Sequence, residues 1–202
     1  MTNLRTGKKD GVCLWLTGLP SSGKTTVAKL AEKRLIDDDY RVERLDGDVV
    51  RQSLTADLGF SREDRDKNIA RVAFVAKMLQ RNEVITFSSF ITPYRAQRDY
   101  VRNTINDVRI VYVNAPVDVC IERDPKGMYE KAQAGEIEGF TGIDAPYEQP
   151  VTPDLVLPTH EEDVEQSADR MIAYLQEEGF VKGYDLDVDE EIVGSEQSVS
   201  TG

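Results

Sequence analysis

Cysteine, histidine and tryptophan are scarce in this chain of 202 residues: two, one and one. Cys13 and Cys120 lie in apolar segments and match no paired metal spacing such as CxxC. They read as buried free thiols rather than as a redox pair or metal ligands. The single histidine, His160, precedes an acidic helical stretch and reads as a terminus residue, not a catalyst. No apolar run approaches the roughly 20 residues that span a bilayer. The N-terminal "MTNLRTGKKDG" lacks the apolar core of a signal peptide. These absences exclude a membrane role and make the cytoplasm the expected location.

Basic residues are missing from Gly183 to Gly202, which carries six acids. Glu161 to Lys182 adds seven acids against two bases, so most of the net charge of −12 belongs to the C-terminal end. That balance argues against nucleic-acid binding. The last twenty residues have no clear periodicity and are expected to be disordered. Residues 1–11 form a polar extension, leaving 12–182 for one domain with a sizeable core.

Within that domain, strand-like runs alternate with helical patterns. "GVCLWLTG", "YRVERLDGD", "EVITFSSF", "VRIVYVNAP" and "DLVLPT" read as five strands. Lys24 to Asp38, Arg62 to Arg81, Tyr94 to Asn106, Val117 to Arg123 and Glu161 to Glu178 read as helices. The alternation predicts an α/β fold with a parallel sheet covered on both faces, and ligands at the carboxyl ends of the strands. Residues 124–150, rich in Gly, Pro and charge with one short helical piece, break the rhythm and read as a mobile lid.

The chemistry starts after the first strand. Gly18-Leu19-Pro20-Ser21-Ser22-Gly23-Lys24-Thr25 matches GxxxxGK[ST], with a strand before it and a helix after it. Glycines let backbone N–H groups approach phosphate oxygens, and the following helix favours an anion at its start. Lys24 is expected at the β- and γ-phosphates and the Thr25 hydroxyl on Mg²⁺. The loop therefore predicts ATP-type triphosphate binding, with Thr26 closing the segment.

The second strand ends in Asp46-Gly47-Asp48. A bend at the glycine would turn both carboxylates to the phosphate cleft, one acting through Mg²⁺ and one on an attacking hydroxyl. An ordinary Asp-Gly turn is the other reading. In the next helix Ile69, Val72, Ala73, Ala76 and Leu79 make an apolar stripe. Extended one turn back, the stripe runs through Asn68 and Arg65, groups suited to an anionic acceptor. A surface helix of ion pairs with Glu63, Asp64 and Asp66 would carry the same spacing. Thr92 followed by Pro93 suggests a helix cap, and a catalytic role for Thr92 stands equally open.

Six segments together are similar to the adenylylsulfate kinase (APS kinase) family. They are "WLTGLPSSGKTT", "RLDGDVVR", "DLGFSREDRDKNIARVA", "SFITPYRAQRD", "VYVNAPVDVCIERDPKGMYEKA" and "EIEGFTGIDAPYEQP", in family order across about residues 12–180. The resemblance implies a P-loop kinase fold, commonly dimeric, with a five-stranded parallel core. The implied reaction is ATP-dependent phosphorylation of the 3′-hydroxyl of adenosine 5′-phosphosulfate (APS). By position it implies Asp48 at the acceptor hydroxyl and Asp46 on the Mg²⁺ side. Arg51, Arg65 and Asn68 resemble acceptor-binding residues, with Phe60 and Phe140 as the two aromatic faces around its adenine. Ile91 and Thr92 fall at the acceptor loop. Lys126 looks placed to neutralise the transferring phosphate, and Arg123 and Asp124 resemble part of the ATP adenine pocket. Two departures stand out: Thr92 where the family often has Ser, and "LPSS" within the phosphate loop where "LSGS" is commoner. Pro20 gives up an amide, so that position is expected not to contact phosphate. A kinase for another small acceptor and a nucleotide-binding regulator without turnover are the rival readings.

Overall fold

The computed structural model describes residues 11–183. Residues 1–10 of the N-terminal extension, and 184–202 of the acidic tail that is expected to be disordered, lie outside the described residues. The chain runs β1 (Cys13–Thr17), α1 (Lys24–Asp37), β2 (Val42–Asp46), α2 (Gly47–Val50), α3 (Arg62–Gln80), β3 (Ile85–Ser89) and α4 (Arg95–Thr104). It continues β4 (Val108–Asn114), α5 (Val117–Arg123), α6 (Met128–Gln133), β5 (Leu155–Pro158) and α7 (Val164–Glu177). The five strands form one parallel sheet in the order β2-β3-β1-β4-β5. The predicted sheet and its covering helices are therefore present.

Every residue of β1 is buried, because the strand is central and both faces are covered. Its side chains alternate between two cores. Leu14 and Leu16 pack with Val27, Ala28, Ala31 and Leu35 of α1 and with Met171, Ile172 and Leu175 of α7. Cys13 and Trp15 pack with Ile69, Val72, Ala73 and Ala76 of α3 and with Val101 of α4. Cys13 and Cys120 are free and buried, as their apolar context predicts. No described helix is long and apolar enough to cross a membrane.

The stripe predicted on α3 holds through Ala76, then moves from Leu79 to Gln80, whose side chain is buried and donates to Gly11 O at 2.9 Å. The chain does bend at Gly47, as the short helix α2. One local expectation needs correction. Thr92 does not cap α4: that helix starts at Arg95, and the residue before it is Tyr94. Thr92 instead takes a left-handed backbone, φ 45°, and turns its hydroxyl into the core.

Candidate active site

The carboxyl end of β1 runs directly into the phosphate loop. Gly18 fits there because a Cβ would sit 2.4 Å from Val113 O of β4. Beyond it the chain makes a tight turn closed by Ser22 N donating to Leu19 O at 3.2 Å. Pro20 fixes the first central position and Ser21 takes φ 61° at the second. This is the arrangement that ordinarily asks for glycine second. The carbonyl freed at Pro20 accepts the Tyr129 hydroxyl at 3.1 Å. Gly23 then adopts φ 98° and α1 begins at Lys24, aiming its free N–H groups at the loop.

Lys24 is almost fully buried. Its Nζ donates to Gly18 O at 3.0 Å, Leu19 O at 2.6 Å and Ser22 Oγ at 3.3 Å. Burial lowers its pKa to about 8, opposed by the nearby Cys120 thiol, Asp46 and Asp48. Thr25 Oγ1 donates to Asp46 Oδ2 at 2.7 Å, so the loop hydroxyl and the β2 carboxylate form one oxygen cluster. Thr26 is exposed on the first turn of α1.

Asp46 has a second partner. Its Oδ1 accepts the backbone N–H of Asp48 at 3.0 Å, making Asp46 the N-cap of α2. That cap starts the helical turn that sets Asp48 apart from the strand, exposed where Asp46 is buried. Two acids that an extended strand would send to opposite sides are thus joined through one hydrogen bond. Lys126, from the segment between α5 and α6, donates to Asp48 Oδ2.

The wall beyond Asp48 gathers the predicted acceptor residues. Arg51 donates to Leu58 O at 3.2 Å and Gly59 O at 3.1 Å, and its guanidinium lies 4.3 Å from the Phe60 ring centroid. Phe60 is 67% exposed, an unusual position for a large aromatic side chain. Arg65 forks three ways: to Phe60 O at 2.9 Å, Thr141 Oγ1 at 2.8 Å and Gly139 O at 2.7 Å. One arginine therefore anchors the backbone at Phe60 and the backbone next to Phe140. Phe140 packs edge-on against Tyr129 at 4.9 Å. Asn68 is 5% exposed, and its Oδ1 is buried without a hydrogen bond among the described residues. Such an orphan in a cleft suits a ligand donor. Ser89 Oγ is a second buried orphan, in register with Asp46 on the adjacent strand.

Residues 124–150, predicted as a lid, carry their own hydrogen-bonded structure. Asp124 accepts the amides of Met128 at 2.9 Å, Tyr129 at 2.8 Å and Glu130 at 3.1 Å. Its carboxylate is spent on starting α6, which leaves only its backbone for an adenine. Arg123 donates to Thr159 O, and Thr159 Oγ1 donates to Ser22 O at 2.7 Å, so Arg123 is tied to the phosphate loop. At Gly142, φ 97°, a Cβ would lie 3.0 Å from Leu19 Cδ2, so the lid seats directly on the phosphate loop.

Several functional neighbours escaped the sequence reading. Thr17 Oγ1 donates to Ile91 O at 2.7 Å and shares a hydrogen bond with Tyr147 OH at 2.9 Å. Trp15 Nε1 donates to Thr92 Oγ1 at 2.9 Å. Arg98, nearly fully buried, donates to Thr92 O at 2.6 Å and to Glu148 O. Burial lowers the Arg98 guanidinium from its ordinary value, opposed by Tyr147 and Glu148. These partners lie about 50 to 130 positions apart in sequence, so no local pattern announces them, with one exception: Thr92 and Arg98 lie six apart.

With this geometry in view, the chain compares closely with known proteins. A family model described as adenylylsulphate kinase matches residues 10–158. The adenylyl-sulfate kinase of Halothermothrix orenii is 56% identical over 173 residues, covering 86% of this chain and 94% of that one. A probable adenylyl-sulfate kinase of Pseudomonas aeruginosa is 58% identical over 162 residues, covering 80% and 76%. Among solved structures, the Mycobacterium tuberculosis APS kinase CysC in complex with AMPPNP and APS matches with a TM-score of 0.80 at 40% identity. That match covers 83% of this chain and 98% of the other.

Proposed function

The chain belongs to the adenylylsulfate kinase family, and from that premise we propose that it phosphorylates APS with ATP. The products are 3′-phosphoadenosine 5′-phosphosulfate and ADP. The observation that carries this reading is that the family match spans 10–158, taking in the phosphate loop, Asp48 and the lid together. The structural relative solved with AMPPNP and APS supports the same pair of ligands.

The mechanism follows from how charge is arranged. Gly18 to Thr26 hold the triphosphate by backbone amides and by Lys24. Asp48 receives the 3′-hydroxyl, orienting it and taking its proton as the new oxygen–phosphorus bond forms and the bond to ADP breaks. Lys126 neutralises charge on the moving phosphoryl group. Arg51, Arg65, Asn68, Ile91 and Thr92 hold the acceptor, with Phe60 and Phe140 stacking on its adenine. Arg123 and the Asp124 backbone border the ATP adenine. Such transfer depends on position and electrostatics more than on covalent chemistry.

Mg²⁺ is part of the proposal. Thr25 and Asp46 are its holders, and their hydroxyl and carboxylate oxygens, 2.7 Å apart, are the hard donors this ion takes. When bound, it neutralises the phosphate oxygens. A homodimer in the cytoplasm completes the reading. Phe74, 61% exposed, and Met78, 40% exposed, on the outer face of α3 support self-association, which sedimentation velocity would test.

The decisive experiment is a coupled ADP-release assay with ATP and APS. Release that depends on APS is expected. Release with gluconate or a nucleoside monophosphate, and none with APS, would overturn the reading.

A further inference from the structure

Ile91–Pro93 lie within the five-residue connection, 90–94, between β3 and α4, on the acceptor side of the proposed site. Their geometry is costly. Thr92 is β-branched yet holds φ 45°, a conformation that persists only where surroundings over-determine it. Those surroundings can be enumerated. Trp15 Nε1 holds the Thr92 hydroxyl at 2.9 Å. Arg98 Nη1 holds the Thr92 carbonyl at 2.6 Å, with Thr17 Oγ1 a longer second donor at 3.4 Å. Thr17 Oγ1 and the Gly18 amide hold the Ile91 carbonyl at 2.7 Å and 3.4 Å.

The far end of the lid meets the same spot. Glu148 N donates to Pro93 O at 2.8 Å. The Glu148 carboxylate accepts the Arg95 amide at 2.7 Å, closing the start of α4. Tyr147 OH reaches Thr17 Oγ1 at 2.9 Å. The second arm of Arg98 donates to Glu148 O, and the guanidinium lies 5.8 Å from the Tyr147 ring centroid.

Arg98 is 4% exposed, and its hydrogen bonds go to two main-chain carbonyls rather than to a carboxylate. A cation removed from water at that cost needs both acceptors. The planar guanidinium meets them with two separate nitrogens, Nη1 on the Thr92 carbonyl and Nη2 on the Glu148 carbonyl. The two carbonyls belong to different functional parts: the acceptor loop and the foot of the lid.

We propose that Arg98 is a positioning residue that locks the Ile91–Pro93 acceptor loop to the Tyr147–Glu148 foot of the lid. Acceptor binding and lid placement are thereby one event. Arg98 touches neither substrate. It acts through the Thr92 carbonyl and the Glu148 carbonyl, and neither of those hydrogen bonds goes to the phosphate loop. This inference rests on the phosphorylation of APS proposed above.

The test compares Arg98→Lys, Arg98→Met and Glu148→Ala with the unaltered protein. Lysine keeps the charge but loses the fork. Glu148→Ala keeps the carbonyl that Arg98 donates to and loses the closure of α4 and one nearby negative charge. For both Arg98 variants the KM for APS is expected to rise about tenfold or more, the scale of one lost charge-assisted hydrogen bond. ATP affinity, measured without APS, is expected to stay within about twofold, since the loop amides are untouched. Glu148→Ala is expected to show the smaller KM change. Equal losses for ATP and APS, or no change for either, would overturn the proposal. Hydrogen exchange gives a readout independent of turnover: the Glu148 amide should exchange at least about tenfold faster in Arg98→Lys. Unchanged exchange there would also overturn it. If the unaltered protein fails to turn over APS, the functional reading fails, and the Arg98 lock is judged on exchange alone.

Discussion

Lys126, at the start of the lid, reaches Asp48 on α2 and donates to its carboxylate. Both side chains are well exposed, 62% and 66%. An exposed pair of this kind contributes about 0–1 kcal/mol to stability. Its value therefore lies in where it brings a cation, not in holding the fold. Lys126→Met should leave the thermal midpoint within about 2 °C. APS-dependent turnover should fall about tenfold or more, as for loss of one electrostatic group at a transferring phosphoryl. A large drop in melting temperature with unchanged turnover would contradict this.

Asp48→Asn separates the acceptor role from the nucleotide role. The amide keeps the size and loses the charge. Turnover should drop about 10²- to 10⁴-fold, the usual contribution of a positioned general base. ATP binding, followed by titration calorimetry, should change less than about twofold, because Asp48 is not among the partners of the phosphate loop. Parallel losses would count against the assignment.

Lys24 makes a pH prediction. Its folded pKa of about 8 lies below its ordinary 10.5. Between those values the unfolded chain binds more protons, so this group makes nucleotide-free protein more stable as pH rises. The penalty is fully present below about 8 and relieved by about 10.5. Lys24→Met should remove that slope: its stability advantage at pH 7.5 should shrink at pH 9.5 in denaturant titrations. Phosphate oxygens would favour the charged form again, so ATP binding at pH 8.5 should take up protons. Calorimetry in buffers of different ionisation enthalpy reads that uptake, and buffer-independent heats would refute it.

The phosphate loop turn offers a stability test. Ser21 holds φ 61° where glycine is unstrained, and Pro20 beside it restricts the unfolded chain. Left-handed backbone costs a residue with a Cβ about 1–2 kcal/mol, partly offset by glycine's larger unfolded entropy. Ser21→Gly should therefore raise stability by up to about 1 kcal/mol, and Pro20→Ala should lower it by about 0.4–1 kcal/mol. Urea midpoints check both signs.

How much of this could be read from the chain alone differs by level. The strands and long helices follow from periodicity, and α3 is found within one residue of its predicted end. The phosphate loop was legible because one contiguous segment carries all its chemistry. Asp46 and Asp48 were legible as a pair, but the capping that turns them apart, through the Asp48 amide, was not. Thr92 was misread because Thr-Pro is a good local cap signal. Tertiary partners at Trp15 and Arg98 override it. The capping of α6 by the Asp124 carboxylate was not legible either, because its three amide contacts depend on how the segment folds rather than on a local pattern.

Asp46 splits its two oxygens between Thr25 and the Asp48 amide. A single carboxylate thus acts as a spacer bar between the end of the phosphate loop and Asp48. It ties the first turn of α1 to the first turn of α2. The far wall, from Arg51 to Asn68, could be recarved for a different alcohol without disturbing that gauge. Asp46→Asn, by contrast, keeps a carbonyl to cap α2 but replaces the oxygen that Thr25 donates to, so it would loosen the α1 end and blur the reach of transfer rather than the choice of partner.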